Sequence, residues 1–135
     1  MYFSDDMREL VVLFQKNRVQ FAVCGGFAVA HYGFIRATMD FDLLILPEPE
    51  NARRIMAALQ EFGFGDAGIN ESALTKPGTA ITLGAQPNQI DLLTSMSSQK
   101  VSEVMSNTGT IELQGLQMNV VSLEDLLAAK SESDR

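Results

Sequence analysis

Apolar residues recur along this chain with two different periods. Between Ser4 and Lys16 they stand three or four positions apart, which predicts an amphipathic helix with Ser4 as its N-cap. The same spacing predicts helices over 26–32, 50–62 and 99–106. A last helix is predicted to begin at the N-cap Ser122 and to run through 126–130.

Short apolar runs predict strands between these helices. They cover 19–24, 41–46, 79–83, 89–93, 110–113 and 116–121. Residues 63–78 carry a weak signal, which predicts a loop with one short element near 72–75. The last four strands are joined by the short connections 84–88 and 114–115, which are typical of hairpins. Since hairpins argue against a purely parallel sheet, the pattern predicts an α/β (α+β) fold with a mixed β-sheet flanked by helices.

Length and composition describe an ordinary globular chain. Its 135 residues suit a single domain, 1–135, whose core needs no disulfide. Hydrophobic residues make up 46%, but no apolar run approaches the roughly 18–20 residues of a membrane helix, and no signal-peptide pattern opens the chain. We therefore expect a cytoplasmic protein with no membrane partner. The one cysteine, Cys24, lies in an apolar strand, which favours a buried filler over a nucleophile.

The charge of the chain limits its binding partners. The formal net charge is −7, from 10 basic and 17 acidic residues. Proteins that grip a nucleic-acid backbone concentrate Lys and Arg, so the charge argues against that class. A polyphosphate could still bind if metal ions and backbone N–H groups supplied the positive potential.

Three aspartates carry the most informative chemistry. Asp40 and Asp42 stand two positions apart in an apolar run, so both carboxylates project from the same face of a strand. Two unpaired anions there would be costly, and a divalent cation between them removes the cost. Asp91 lies in another apolar strand, which indicates burial on both faces, and it can complete a site of the kind that phosphoryl transfer uses. The pair Gly25-Gly26 opens a helix, where small residues and free N–H groups favour a phosphate.

These residues also carry a family resemblance. The DNA polymerase β-like nucleotidyltransferase superfamily has a signature that resembles the order Gly25-Gly26, thirteen residues, Asp40-Phe41-Asp42, and a later strand aspartate. AbiEii-type and related minimal nucleotidyltransferases of bacterial toxin–antitoxin and abortive-infection systems are similar to the fuller string GG-x-A-x(4)-G-x(2)-R-x-T-x-D-x-D-L-x-I. The closing VVSLEDLLAAK resembles a segment near the end of their core.

The resemblance implies a catalytic role for the three aspartates. Asp40 and Asp42 would hold two metal ions, Mg²⁺ or Mn²⁺, and Asp91 would complete the catalytic metal site and help to deprotonate the attacking hydroxyl. The implied enzyme is a nucleotidyltransferase with a two-metal mechanism. It would transfer a nucleoside monophosphate from a nucleoside triphosphate, such as ATP, to a hydroxyl of a protein or RNA acceptor. The biological setting would be a bacterial toxin–antitoxin or defence system.

The resemblance also implies a set of nucleotide-binding residues. Gly25 and Gly26 would face the triphosphate. Family members frequently have Ser at the second position, so Gly26 leaves only backbone contacts there. Arg36 and Thr38 would order the loop before the aspartates, and Lys130 would contact the nucleotide or the acceptor.

Plainer interpretations stand beside three of these assignments. Arg36 can simply pair with a carboxylate. Lys130 can be a solvated lysine at a helix end, where its charge interacts favourably with the helix dipole. His31, in the helix after the glycines, fits a partly buried packing position better than a ligand or a base.

Two other functions stay open. The chain could be a catalytically weak or inactive nucleotide-binding, antitoxin-like module; the missing serine favours this reading, whereas the intact aspartates favour the enzyme. A GTP-binding or hydrolysing toxin is the third alternative. The expected protein partners are a cognate toxin or antitoxin and a second copy of the chain, since a small domain with an open active-site face suits a homodimer.

Overall fold

The first helix begins where the sequence places its cap. In the computed structural model, which describes residues 2–34, 40–63 and 68–133, helix α1 spans Asp5–Lys16. The backbone N–H of Met7 donates to Oγ of Ser4 at 3.1 Å, and the Met7 sulfur accepts from the backbone N–H of Ser4 in return. The predicted apolar face is the buried one and consists of Met7, Leu10, Val11 and Phe14.

The remaining elements follow in the predicted order. They are β1 (Phe21–Cys24), α2 (Gly25–His31), β2 (Phe41–Ile45), α3 (Pro49–Phe62), a 3₁₀ helix (Glu71–Thr75), β3 (Ala80–Leu83), β4 (Ile90–Leu93), α4 (Val101–Met105), β5 (Gly109–Leu113), β6 (Leu116–Val120) and α5 (Leu123–Ser133). Helix α5 starts at Leu123, directly after the predicted cap Ser122, whose Oγ accepts from the backbone N–H of Asp125 at 3.1 Å. Among the described residues, no helix combines the length and the apolar character needed to cross a membrane.

Six strands form one mixed sheet in the order β3-β4-β2-β1-β6-β5. The predicted hairpins β3–β4 and β5–β6 are antiparallel, and β1 also pairs antiparallel with β2. Two pairs are parallel, β2 with β4 and β1 with β6. The prediction of a mixed sheet flanked by helices is confirmed.

Side chains on the two faces of the sheet enter two separate cores. Along β2, Phe41 and Leu43 lie in the larger core, which also contains the buried faces of α1 and α3. Leu44 lies in a smaller core together with Cys24 and the apolar side of α4. Because side chains alternate along a strand, Asp42 shares the face of Leu44. The acidic residue of β2 therefore belongs to the second face, at the end where the strand begins.

One buried amide joins two strand ends to α3. Asn51, in the first turn of α3, is 2% exposed. Its Oδ1 accepts from the backbone N–H of Gln20 at 2.7 Å, and its Nδ2 donates to the carbonyl oxygens of Gln20 and Leu46 at 3.0 and 2.9 Å. Gln20 precedes β1 and Leu46 follows β2, so this side chain helps to fix the register of the two central strands.

Candidate metal centre

The sheet register brings the three predicted aspartates together. Strands β2 and β4 are parallel neighbours in which Asp42 pairs with Asp91, so both side chains leave the same face of the sheet. Asp40 lies two residues before Asp42, just ahead of β2. One carboxylate oxygen from each residue lies within 4.8 Å of the other two. We call Asp40, Asp42 and Asp91 the acidic triad.

The geometry of the acidic triad fits a hard divalent cation. Mg²⁺ binds oxygen ligands at about 2.1 Å, so two ligands on opposite sides of one ion stand about 4.2 Å apart. The three oxygens need only a small side-chain adjustment to reach that spacing. All three aspartates are partly buried, which raises the cost of leaving their charges uncompensated. The acidic triad can therefore hold a metal ion.

Asp91 is less enclosed than the sequence indicated. Along β4, Ile90 and Leu92 are buried in the larger core, whereas Asp91 and Leu93 are only partly buried on the opposite face. The expectation of burial on both faces is wrong here, because the second core centres on β1 and β2 and β4 lies at its margin. Solvent and a ligand can therefore reach the Asp91 carboxylate.

Three polar side chains from the β3–β4 region donate hydrogen bonds to the acidic triad. Oγ1 of Thr82 donates to Oδ1 of Asp91 at 2.8 Å. Nε2 of Gln89 lies 3.2 Å from each carboxylate oxygen of Asp91, and Nε2 of Gln86 donates to Oδ1 of Asp40. None of these three residues was predicted from the sequence. A signal existed for Thr82, which the hairpin register places opposite Asp91, and for Gln89, which precedes Asp91 by two positions.

Gly25 occupies a place that no other residue fills without strain. It opens α2 with a φ of +63°, a backbone conformation that favours glycine. A Cβ at this position would lie 2.9 Å from Cγ of Asp42 and closer still to its Oδ2. The missing side chain therefore leaves room for the Asp42 carboxylate. Gly26 is buried in the first turn of α2, and the contact of both glycines with a triphosphate stays a prediction.

Cys24 pairs with Asp42 across the β1–β2 ladder. Its side chain is 2% exposed, which confirms the predicted buried position. Burial raises the pKa of the Cys24 thiol far above its ordinary value, and the negative charge of Asp42 raises it further. A thiol held in its neutral form is a poor nucleophile.

Four other residues singled out from the sequence lie outside the acidic triad or outside the described residues. Arg36 and Thr38 fall outside the described residues. Lys130 is exposed in the last turn of α5, and its nucleotide contact stays a prediction. His31 is exposed at the end of α2 and meets the Tyr32 ring edge-on at 4.8 Å between centroids. The expected partly buried position of His31 is therefore wrong, because the adjacent Tyr32, and not His31, packs against the larger core.

Comparison with known proteins shows which fold the chain has. No family model and no curated protein matches the chain. A solved structure from Thermotoga maritima, provisionally described as a nucleotidyltransferase, superposes with a TM-score of 0.68 over 96% of this chain and 83% of that one, at 14% sequence identity. The chain has a nucleotidyltransferase-like fold. At this identity the likeness concerns the fold alone.

Proposed function

We propose that this protein is a metal-dependent nucleotidyltransferase. The observation that carries the proposal is the acidic triad, whose three carboxylates converge within 4.8 Å on a nucleotidyltransferase-like fold. The reaction would transfer a nucleoside monophosphate from a nucleoside triphosphate, such as ATP, to a hydroxyl group of a protein or RNA acceptor.

Mg²⁺ or Mn²⁺ is the cation that suits this donor set, because every ligand is a hard carboxylate oxygen. Asp40 and Asp42 would hold two such ions, and Asp91 would complete the site. When bound, the ions supply positive charge at the phosphates and lower the pKa of the acceptor hydroxyl.

The residues of the chain position the reactants and receive a proton. In the transfer, the acceptor oxygen forms a bond to the α-phosphorus. The bond between the α-phosphorus and the oxygen that bridges it to the β-phosphorus breaks, and pyrophosphate leaves with that oxygen. We assign the proton of the acceptor hydroxyl to the Asp91 carboxylate, which is partly buried but within reach of a ligand.

Nucleotide binding would draw on the residues around the start of α2. The backbone of Gly25 and Gly26 would approach the phosphates, since neither residue has a side chain in the way. Arg36, Thr38 and Lys130 would contribute further contacts to the nucleotide.

The biological setting we propose is a bacterial toxin–antitoxin or defence system, in which the protein would act in the cytoplasm as an AbiEii-type enzyme. Its macromolecular partners would be the acceptor, a cognate toxin or antitoxin, and a second copy of the chain. The sequence resemblance between residues 25 and 45 supports this setting.

A second function is a nucleotide-binding, antitoxin-like module with little or no turnover. The observation that favours it is Gly26, which has no hydroxyl at a position where related enzymes frequently use one on a phosphate oxygen.

Label transfer tests the proposed function. The purified protein is incubated with α-labelled nucleoside triphosphates, Mg²⁺ and bacterial lysate or RNA, and labelled acceptors are separated on a gel. We expect transfer by the native chain, a loss of at least about 100-fold in Asp42→Asn, and no change in Glu124→Gln, which removes an exposed carboxylate from α5.

Three other outcomes, one of them from calorimetry, would contradict the proposed enzyme or its proposed active site. Tight binding of the metal–nucleotide complex in calorimetry without transfer to any acceptor would identify the module. Release of inorganic phosphate without an acceptor would identify a hydrolase. Label transfer that persists in Asp42→Asn would show that the acidic triad is not the active site.

A further inference from the structure

We propose that Thr82 and Gln89 are positioning residues, which hold Asp91 in the orientation that binds a divalent cation. The inference rests on the proposed function of the acidic triad and adds to it the residues that set its cation affinity. Both residues act through Asp91 and belong to the β3–β4 hairpin.

Thr82 reaches Asp91 because of the hairpin register. The two residues are direct partners in the antiparallel β3–β4 ladder, so their side chains lie on the same face of the sheet. Oγ1 of Thr82 donates to Oδ1 of Asp91 at 2.8 Å, an ordinary length for a hydroxyl on a carboxylate. Strand β3 is the edge of the sheet, so Thr82 supports Asp91 from the side opposite to Asp42.

Gln89 supports the same carboxylate from within the chain. It precedes Asp91 by two residues, and its Nε2 lies 3.2 Å from both carboxylate oxygens. Its backbone carbonyl accepts from the N–H of Phe41 at 3.2 Å. Phe41 stands between Asp40 and Asp42, so this bond fixes the backbone of Gln89 at the start of β2. Gln89 therefore contacts both Asp91 and the strand that carries Asp42.

The hydrogen bonds from Thr82 and Gln89 are distributed unequally between the two carboxylate oxygens of Asp91. Oδ1 accepts from both Thr82 and Gln89, whereas Gln89 is the only donor to Oδ2 among the described residues. Each carboxylate oxygen offers about two lone pairs. The geometry points to Oδ2 as the cation ligand and to Oδ1 as the oxygen that fixes the rotamer.

Fixing a ligand before the cation arrives removes an entropic cost of binding. Without the two donors, the Asp91 side chain would sample other rotamers and would have to be ordered by the ion. Loss of a partner that orients a metal ligand typically weakens metal affinity by about 10- to 100-fold. We expect the lower end for Thr82 alone, because Gln89 would remain.

A purely structural role for Thr82 predicts a different result. Thr82 is exposed and lies in an edge strand. Valine has the same shape and suits a strand equally well, so Thr82→Val removes the hydroxyl without removing the side-chain volume. If Thr82 only stabilised strand β3, the cation affinity of Thr82→Val would equal that of the native chain.

Binding of Mn²⁺ alone, measured by electron paramagnetic resonance of the free ion, tests the inference. We expect Thr82→Val to weaken the affinity about 10-fold and Thr82→Ser, which keeps the hydroxyl, to restore most of it. Gln89→Met should add to the loss when combined with Thr82→Val. The matched control is Thr110→Val, the same change at an exposed threonine in the opposite edge strand β5. Thermal unfolding without metal should be equal in all threonine variants.

The metal dependence of label transfer gives an independent readout. For Thr82→Val, the lost activity should return when Mg²⁺ is raised about 10-fold, because the defect lies in metal affinity. Unchanged Mn²⁺ affinity in Thr82→Val, beside a clear loss in Asp91→Asn, would overturn the positioning role. So would the absence of any Mn²⁺ binding by the native chain. Native Mn²⁺ binding that is sensitive to Thr82→Val, without nucleotidyl transfer, would support the positioning role and contradict the proposed function.

Discussion

At the scale of single residues, the site depends on one close approach between backbone and carboxylate. Gly25 combines a positive φ with a position against the Asp42 carboxylate, where a Cβ would lie 2.9 Å from Cγ. A side chain there would strain the backbone and also displace Asp42 from the acidic triad. Gly63 offers a comparison, because it has a φ of +100° with nothing within 4 Å of an added Cβ.

We expect Gly25→Ala to lower the free energy of unfolding by about 2–4 kcal/mol and to weaken Mn²⁺ binding at least about 10-fold. Gly63→Ala should cost about 1–2 kcal/mol through backbone strain alone and leave Mn²⁺ binding unchanged. Urea denaturation and Mn²⁺ titration of both variants check the two expectations. Native-like Mn²⁺ affinity in Gly25→Ala would show that Asp42 does not need this space.

The residues that the sequence made predictable are the chemically unusual ones. Asp42 and Asp91 stand out because carboxylates are rare in apolar strands, and Gly25 stands out because it begins a helix directly after a strand. Thr82 and Gln89 could not be recognised in the same way, since polar residues are ordinary in exposed strands and turns. The predicted hairpin and the two-residue spacing place them near Asp91, but only the folded chain shows their hydrogen bonds to its carboxylate.

At the scale of elements, Asn51 links three segments through three hydrogen bonds. Asn51→Ala would remove the side-chain acceptor of the Gln20 N–H and one donor from each of the carbonyl oxygens of Gln20 and Leu46, at the end of the β1–β2 pair where β1 begins and β2 ends. We therefore expect a loss of about 2–4 kcal/mol in the free energy of unfolding. Asn119→Ala, at an exposed asparagine in β6, should change it by less than about 0.5 kcal/mol. Urea denaturation measures both, and equal effects of the two substitutions would contradict the linking role.

Tyr32 joins the end of α2 to the segment before α5. Its hydroxyl donates to the carbonyl oxygen of Val121 at 2.8 Å. Burial raises the pKa of the Tyr32 phenol, and a backbone hydrogen bond at Leu123 offsets part of that shift. The neutral phenol is therefore favoured in the folded chain, and its stabilising effect is fully present below the ordinary tyrosine pKa of about 10. Above that pH the unfolded chain loses the proton first, which favours unfolding.

The difference between the native chain and Tyr32→Phe should therefore depend on pH. At pH 7 the native chain should be more stable by about 1 kcal/mol, the typical value of one hydrogen bond. At roughly pH 10.5 the difference should shrink, because the hydrogen bond of the neutral phenol is opposed by deprotonation of the unfolded state. Urea denaturation at the two pH values provides the measurement, and a difference that grows with pH would refute this account of Tyr32.

The predicted elements were correct in type and order, but their apolar periodicity did not predict the parallel strand pairs, and only the aspartates indicated that β2 and β4 are neighbours. Apolar periodicity depends on which side of an element is buried, so it located α1 and β2 to within a few residues. It contains no information on which strands pair across a long connection. The parallel pairing of β2 with β4, on which the acidic triad depends, results from the path through α3 and the 3₁₀ helix between them.

At the scale of the whole molecule, the negative charge of the chain would make the proposed nucleotide binding dependent on metal. The net charge is −7, and the acidic triad adds local negative potential where an anionic triphosphate would lie. Repulsion between the two should be overcome only when divalent cations stand between them. In calorimetry we therefore expect the affinity for ATP to fall at least about 10-fold when EDTA replaces Mg²⁺. Equal affinity in the two conditions would place the nucleotide away from the acidic triad.

The most direct test of the central claim is an anomalous diffraction map of crystals that contain Mn²⁺ and a non-hydrolysable nucleoside triphosphate. We expect a manganese peak about 2.0–2.5 Å from carboxylate oxygens of Asp40, Asp42 and Asp91, with the α-phosphate beside it. Manganese bound elsewhere, or a nucleotide whose phosphates lie away from these three residues, would contradict it.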